Sequence, residues 1–582
     1  MKLRVSMLAV LLVVPALAHA QSAVHLRDTV SPAAALMTNA AVAPSTMPME
    51  ITVRLNLHDA AGMEQLKRDQ HDLSSPNYHK WLTSVEFNTR FGPTLADADA
   101  VAQWLTGAGF TVSGMDLDGR SVTAQASAAV VSRTLGVTIV SDGTLFANTT
   151  EPSVPAALAP LIANIEGLHN TFAVKPMIGD HIAFGPPLSE GPVAGSSPDF
   201  HPKGGPVAFS PSDMRTYYDE TPINQGGNFG KGAPDCIALP EISNIHSSTL
   251  TAFTKEFGGP AIKFTEVLVD KKNPKSQGNA ELEADLDIEY AHSISPSTPI
   301  KAYIGTGNTA LQDAIGRAVN DNKCGVISIS FGYCGMPASF YTGTLDPLFS
   351  KAALNGQTVF AASGDDGAAG LAAQVNGHTI QCVVGNSVNV SEMAADPNVT
   401  AVGGTEFAPL YAGNGATDIS TVLDGLEAAW DDGGGATGGG MSTVFDRPSW
   451  QSGPKVTLPG TMRMVPDVAF GASGILPGFY IVGYISRANR LAVISGTSIG
   501  SPSWAGFSRL IAEADNNPRL GLMNPRLYVL GNMGSESGLI DVTSGDNTFN
   551  GVGGYRALAG YDMTTGWGSP DMSTLLNSYV GP

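Results

Sequence analysis

Hydrophobic and polar positions follow two regimes along the chain. Between about 45 and 172, Met49 to Leu55 alternates with the period of a half-buried strand, and Phe110 to Val112 and Ser121 to Ala124 read as further strands. Apolar residues three and four apart over Asp59 to Leu73 and Thr94 to Gly107 predict helices, as does Ala126 to Leu135. This is the pattern of a compact α+β unit. Gly, Pro and Ser then crowd the stretch from Pro176 to Pro206, which reads as a linker, as in Phe184-Gly185-Pro186-Pro187 and Gly204-Gly205-Pro206. From about 207 short apolar runs take over: Cys236 to Leu239, Ile300 to Ile304, Val326 to Ser330, Thr358 to Ala361 and Val399 to Val402. Helix-like segments such as Ala310 to Asn320 separate them. The alternation predicts an α/β fold with a mostly parallel sheet flanked by helices. Functional residues are then expected at the carboxyl ends of strands. No tandem repeat is present.

Residues 1–20 depart from both regimes. Lys2 and Arg4 precede an apolar stretch from Met7 to Leu17, and Ala18-His19-Ala20 offers a small-residue cleavage site, with Ala16-Leu17-Ala18 as a second. This is the pattern of a secretory signal. The run falls short of the ~20 residues a membrane span needs. Export to the extracellular space, or to a periplasm, is expected, with no membrane association after removal of the signal. The remaining chain, part of 582 residues with 43% hydrophobic content, can build two or three domains. Only 14% of residues are charged, and 52 acidic residues against 32 basic ones leave a formal charge of −20. That balance argues against nucleic acid and anionic membranes as partners. The four cysteines, Cys236, Cys324, Cys334 and Cys382, contain no CxxC pair, so zinc has little support. Disulfides are permitted by export, and three pairings stay open.

Four segments carry candidate chemistry. Ser495-Gly496-Thr497-Ser498-Ile499-Gly500-Ser501-Pro502 follows the apolar run Leu491 to Ile494 and precedes a helix-like stretch. A small-residue turn between strand and helix exposes a serine and lets backbone donors approach a substrate. A serine hydroxyl needs a base. None of the 11 histidines sits in a His-Gly-Thr segment; Gly377-His378-Thr379 has the wrong order. His292 reads as a helix-surface residue. The second segment, Glu281-Leu282-Glu283-Ala284-Asp285-Leu286-Asp287-Ile288-Glu289, places carboxylates four apart on a helix. Spacing allows three pairs (281 with 285, 283 with 287, 285 with 289), and on spacing alone a solvated acidic face is the favoured reading. The third, Ala362-Ser363-Gly364-Asp365-Asp366-Gly367, puts an acid just past the strand Thr358 to Ala361. The fourth, Asp541-Val542-Thr543 with Leu558-Ala559-Gly560-Tyr561-Asp562, combines two carboxylates with turn carbonyls, a donor set suited to a hard cation such as calcium.

In their order along the chain these segments resemble the sedolisin family of serine-carboxyl peptidases, the group of the kumamolisins and tripeptidyl-peptidase 1. Asn77-Tyr78-His79-Lys80-Trp81-Leu82-Thr83 with Phe87 and Phe91-Gly92 resembles that family's activation propeptide. Phe209-Ser210-Pro211 to Tyr217-Tyr218 resembles the start of its catalytic domain. The resemblance implies a subtilisin-like catalytic domain over 207–582, a ferredoxin-like α+β propeptide over 21–175 and a processing site in the linker 176–206. It selects Glu283 and Asp287 as the acid pair, since Leu286-Asp287-Ile288 matches the family pattern. It makes Ser498 the nucleophile and Asp365 the oxyanion acid. It implies one structural Ca2+ held by the Asp541 and Asp562 side chains and the carbonyls of Val542, Leu558 and Gly560. Glu241 resembles a glutamate that extends the proton network in some members. Three positions depart from the pattern: Asp366 replaces a usual serine, Ile242-Ser243-Asn244 replaces a Gly-rich run, and Leu558 replaces a common glycine.

The function implied is that of a self-processing acid endopeptidase acting on protein or peptide substrates and inhibited by its own propeptide. A monomer is expected. Asp365 can donate to an oxyanion only when protonated, and an ordinary aspartate titrates near ~3.9, so loss of activity is expected between about pH 5 and 7. The alternatives are a tripeptidyl-peptidase of the same family, a histidine-dependent subtilisin-type hydrolase, and a catalytically dead binding protein with this fold.

Overall fold

The computed structural model describes residues 22–188, 208–225, 235–370, 372–375, 378–381, 388–407, 427–475 and 478–581. The expected signal, Cys382 and the Gly204-Gly205-Pro206 end of the expected linker lie outside them.

The first unit is a four-stranded antiparallel sheet. Its strands are β1 (Pro48–Leu55), β2 (Thr111–Asp116), β3 (Ser121–Ser127) and β4 (Ile162–Glu166), in the order β2-β3-β1-β4. Met49, Ile51, Val53 and Leu55 of β1 point to one face, where α3 (Leu95–Ala108) and α4 (Ala128–Leu135) cover them with Val101, Leu105, Val131 and Leu135. A capping box between Thr94 and Asp97 starts α3, and Gly109 at φ 100° ends it. The helix expected from Ala126 begins two residues later, because Ala126 and Ser127 stay in the ladder opposite Met49 and Pro48. On the other side of this unit, α1 (Ala60–His71) and α2 (Ser84–Phe91) set Met63, Leu66, Phe87 and Phe91 against Leu354 of the second unit. Glu166, paired to Arg54 at 2.8 Å, also accepts the Thr344 hydroxyl at 2.6 Å. The docking contact is therefore apolar at one end and charged at the other.

Two short strands follow, β5 (Ala173–Pro176) and β6 (Ala183–Pro187). The composition of this stretch reads as a linker, yet β6 pairs with a strand near the serine turn. Its prolines are tolerated because it occupies the edge of its small sheet.

The second unit is built on β7 (Ile237–Glu241), β8 (Phe264–Leu268), β9 (Ile300–Ile304), β10 (Val326–Ile329), β11 (Phe331–Cys334), β12 (Thr358–Ala362), β13 (Thr400–Glu406), β14 (Ala428–Ala429) and β15 (Val468–Gly471). The central sheet runs β8-β9-β7-β10-β12-β13-β15, all parallel, with β14 antiparallel on the end of β13. Residues of β7, β10 and β12 are buried throughout, which explains continuous apolar runs in place of alternation. The order reverses between β7 and β10. That switch point opens a crevice at the strands' carboxyl ends, where Glu241, Ser330 and Asp365 stand. A disulfide joins Cys236 to Cys324, and Cys334 is disulfide-bonded as well.

Candidate active site

Helix α5 (Asn279–Ile294) crosses the crevice, and its acidic residues are buried, not solvated. Glu283, Asp285, Asp287 and Glu289 are all 0% exposed. The helix is enclosed by the sheet, by β16 (Gly478–Ile485) and by α6 (Gly500–Ala514). Close packing with α6 depends on Gly506: a Cβ there would stand 2.9 Å from the Ala291 carbonyl. The three possible acid pairs separate by face. Asp285 accepts the Thr249 hydroxyl at 2.7 Å, and Glu289 accepts Val482 N–H at 2.9 Å. Glu281 pairs with His246 at 3.0 Å. These three point away from the strand ends. Glu283 and Asp287 lie on the other face, where Asp287 Oδ1 accepts the Ser330 hydroxyl at 2.5 Å. His292, expected on the surface, is buried at the far end of α5 because the helix is covered all round. Burial pushes its pKa down to about 4, which keeps it neutral.

The serine turn follows β17 (Ala488–Ile494) and runs directly into α6. Gly496 has φ 130°. A side chain there would meet the Met177 carbonyl at 2.2 Å and Asp365 Oδ2 at 2.9 Å, so the turn needs glycine for both angle and space. Ser498 is fully buried. Its hydroxyl lies near enough to Glu283 to stabilise the anionic carboxylate. Neither partner reaches hydrogen-bond geometry, however, and both Glu283 oxygens stay unpartnered among the described residues. We read this as proximity without a formed bond, the loose arrangement common in a resting site.

Asp365 follows β12. Its Oδ1 accepts Thr497 N–H at 2.9 Å and the Thr497 hydroxyl at 2.7 Å, while Oδ2 has no partner. Burial drives its pKa up to about 7 against the pull of those bonds and of Lys175. The neighbouring Asp366 contributes least to that rise, and its own carboxylate accepts Lys175 Nζ at 2.6 Å. Thus the extra acid at this position is neutralised by a cation of the threaded segment.

Glu241 closes the network. It is fully buried at the end of β7, within electrostatic reach of Asp287 and Glu283, and both of its carboxyl oxygens lack a hydrogen-bond partner among the described residues. Burial, then Asp287 and Glu283, raise the Glu241 pKa well above the ordinary range. Burial likewise raises Asp287 to about 8, against the Ser330 hydrogen bond and the influence of the neighbouring Glu241. Glu283 is raised well above its ordinary value by burial first, then by Asp287 and Asp365. Ser330 and Thr497 were not singled out from the sequence. The one signal for Ser330 is a polar residue closing an apolar strand; Thr497 lay inside the serine motif without a role.

At the C-terminal loop, Gly560 N–H donates to Asp541 Oδ2 at 2.7 Å and Leu558 N–H to Asp562 Oδ2 at 2.8 Å. Asp562 Oδ1 accepts Thr564 and Thr565 N–H, each at 2.8 Å. Asp541 Oδ1 is buried without a partner. Leu558 avoids positive φ and turns its side chain outward, 48% exposed, so its carbonyl role is sterically allowed. Among the described residues no cluster of three or more His, Cys, Asp or Glu side chains could hold a metal. A set of two carboxylates and carbonyls is not of that kind, and the orphaned Asp541 oxygen fits a hard cation.

Over 550 residues the chain is 30% identical to sedolisin of Pseudomonas sp. (strain 101), covering 91% of this chain and 86% of the relative. The chain belongs to the sedolisin family. Kumamolisin of Bacillus sp. (strain MN-32) is 29% identical over 92% of this chain and 93% of its own length. Tripeptidyl-peptidase 1 of Rattus norvegicus is 27% identical over 92% of each. The description "Pro-kumamolisin, activation domain" matches residues 37–171. The crystal structure of Pseudomonas sedolisin, a serine-carboxyl proteinase complexed with two molecules of pseudo-iodotyrostatin, superposes with a TM-score of 0.52 at 28% identity, over 64% of this chain and 98% of that one. This sedolisin-family chain is therefore a peptidase, a hydrolase of peptide bonds. It carries an activation propeptide ahead of a subtilisin-like α/β fold, and the propeptide is its own inhibitor.

Proposed function

We propose that the protein is an exported, acid-acting serine endopeptidase made as a self-processing zymogen. The observation that carries this reading is the convergence of Ser498, Glu283, Asp287 and Asp365 on one crevice, with no histidine bonded to the Ser498 hydroxyl among the described residues. In the mechanism, Ser498 Oγ attacks the substrate carbonyl and Glu283 takes its proton. Buried carboxyls this close share protons and titrate as a set. Glu283 and Asp287 begin with one proton between them and hold two after the attack. Glu241 and Ser330 orient Asp287. Asp365, protonated on Oδ2, donates to the oxyanion together with Ser498 N–H. Glu283 then returns the proton to the leaving amine, and water hydrolyses the ester with the same residues in reverse.

An endopeptidase is favoured over a tripeptidyl-peptidase because β5 lies along β11 for four residues before Met177, so the cleft does not close after three. The expected propeptide 21–175, signal 1–20 and secretion belong to the same reading. One Ca2+ is assigned to the Asp541 and Asp562 side chains and the carbonyls of Val542, Leu558 and Gly560; it would tie the C-terminal loop and take no part in the chemistry. A chelator should lower the thermal midpoint of the matured enzyme, with calcium restoring it; an unchanged midpoint removes the site.

The decisive experiment is a digest of denatured casein at pH 4 by the matured enzyme, with products identified by mass. Internal fragments are expected. Ser498→Ala should lose at least about 10³-fold in turnover, since such residues act as a unit. A Ser498→Ala protein as active as wild type sinks the assignment, and a ladder of tripeptides alone sinks the endopeptidase reading.

A further inference from the structure

We propose that the bond this enzyme cuts in its own precursor is Met177–Ile178, already seated across Ser498, with Lys175 docked on Asp366. The inference rests on the self-processing reading above and supplies the site that reading leaves open.

The chain enters the crevice as β5, antiparallel to β11, with Ala173 opposite Cys334, Val174 opposite Tyr333, Lys175 opposite Gly332 and Pro176 opposite Phe331. Adding an extended segment to a free strand edge is a general mode of peptide binding, in which the backbone sets the register. The ladder gains one more rung beyond the strand. Met177 N–H donates to the Ser330 carbonyl at 2.8 Å. Ser330 is the residue whose hydroxyl holds Asp287, so the register delivers Met177 to the acid pair.

The next atom is decisive. The Met177 carbonyl oxygen accepts the backbone N–H of Ser498 at 3.2 Å. That N–H is the donor that a carbonyl under attack by Ser498 would use. Gly496 places the second donor: the space beside its Cα borders both the Met177 oxygen and Asp365 Oδ2. The Met177 carbonyl thus occupies the position where negative charge would develop.

Beyond the bond the chain is held as firmly. Gly179 N–H donates to the Ser495 carbonyl at 2.8 Å and Asp180 N–H to the Gly434 carbonyl at 3.3 Å, and β6 then pairs with β17. Met177 and Ile178 are both buried. A second anchor fixes the acyl side, the Lys175 Nζ to Asp366 Oδ2 contact at 2.6 Å. The reaction balances without added reagents other than water. Ser498 Oγ bonds to the Met177 carbonyl carbon, its proton passes through Glu283 to the Ile178 nitrogen, and the Met177–Ile178 bond breaks. Water then releases Met177 as a carboxylate. The mature chain would begin at Ile178, with β6 still paired to the catalytic unit. It would not begin farther along the Gly, Pro and Ser-rich stretch, toward Pro206.

The test uses the full-length precursor, purified uncut near neutral pH and shifted to pH 4. Intact mass and N-terminal sequencing follow the earliest products. The expected first pair is a fragment ending at Met177 and a chain starting at Ile178. A first catalytic fragment starting anywhere else overturns the inference. Ile178→Pro should slow this cut at least about 100-fold by displacing the bond from the attacking oxygen. If that variant misfolds, Lys175→Glu provides the second arm. It should slow the cut about tenfold by opposing Asp366, and Lys175→Glu with Asp366→Lys should recover most of the rate. An unchanged rate in Lys175→Glu refutes the docking of Lys175. Matured protein that digests casein but begins elsewhere defeats this inference alone. Wild-type protein that neither matures nor digests casein defeats the functional reading with it.

Discussion

Asp365 shows how one carboxyl can be held for a single task. Thr497 donates twice to Oδ1, which leaves Oδ2 as the place for a proton, and burial keeps that proton on up to about pH 7. As a neutral acid it would donate to an oxyanion; as an anion it would repel one. The alkaline limb of activity should therefore follow this residue. Asp365→Ala should cost about 10²–10³ in kcat at every pH. Asp365→Asn, neutral at all pH, should be slower than wild type yet keep its own maximal rate above pH 7. An alkaline limb in Asp365→Asn identical to wild type would assign that limb to another group. Asp365 was legible in the sequence because an acid follows a strand. Ser330 was not, since a serine closing an apolar run has no local signature and its partner Asp287 lies 43 positions away.

At the scale of elements, α5 carries five carboxyls that would repel one another on an exposed helix. Burial removes much of that repulsion by favouring the protonated forms, as the raised values of Glu283, Asp285 and Glu289 indicate. The helix then presents one acid face to the strand ends and the other to Thr249, His246 and Val482. Kinetics of two isosteric variants test that division. Glu283→Gln should lose at least about 10³-fold in kcat, whereas Asp285→Asn should keep turnover and change mainly thermal stability. Comparable losses in both would mean that the faces are misassigned. Periodicity placed the carboxyls four apart, but it is blind to which side of a helix meets the sheet. The same limit applies to β6: prolines and glycines suggested a linker, and a partner strand some 300 positions later made it an edge strand.

For the whole molecule, buried carboxyls couple folding to pH. Burial raises Asp365 to about 7, and Asp287 and Glu220 to about 8. In the unfolded chain such groups titrate near ~4. Their stabilisation is thus complete below about pH 4 and is lost as pH rises through 7 to 8. Groups shifted the other way, such as Glu166 and Asp97, lose theirs only below the ordinary carboxylate range. The formal charge of −20 adds self-repulsion in the same upward direction. Calorimetry on the Ser498→Ala precursor should show a thermal midpoint that falls from pH 4 to pH 8; a midpoint that rises over that range would refute the accounting. Taken by itself, the sequence determined the alternation of strands and helices, the order of the motifs, the acid-rich helix and the serine turn, because these depend on neighbours a few residues away. Tertiary structure alone decided which acids face Ser498, which cysteine joins Cys236, and that the Met177 carbonyl meets the Ser498 backbone N–H. Those outcomes depend on contacts between residues far apart in the chain, which local spacing does not encode.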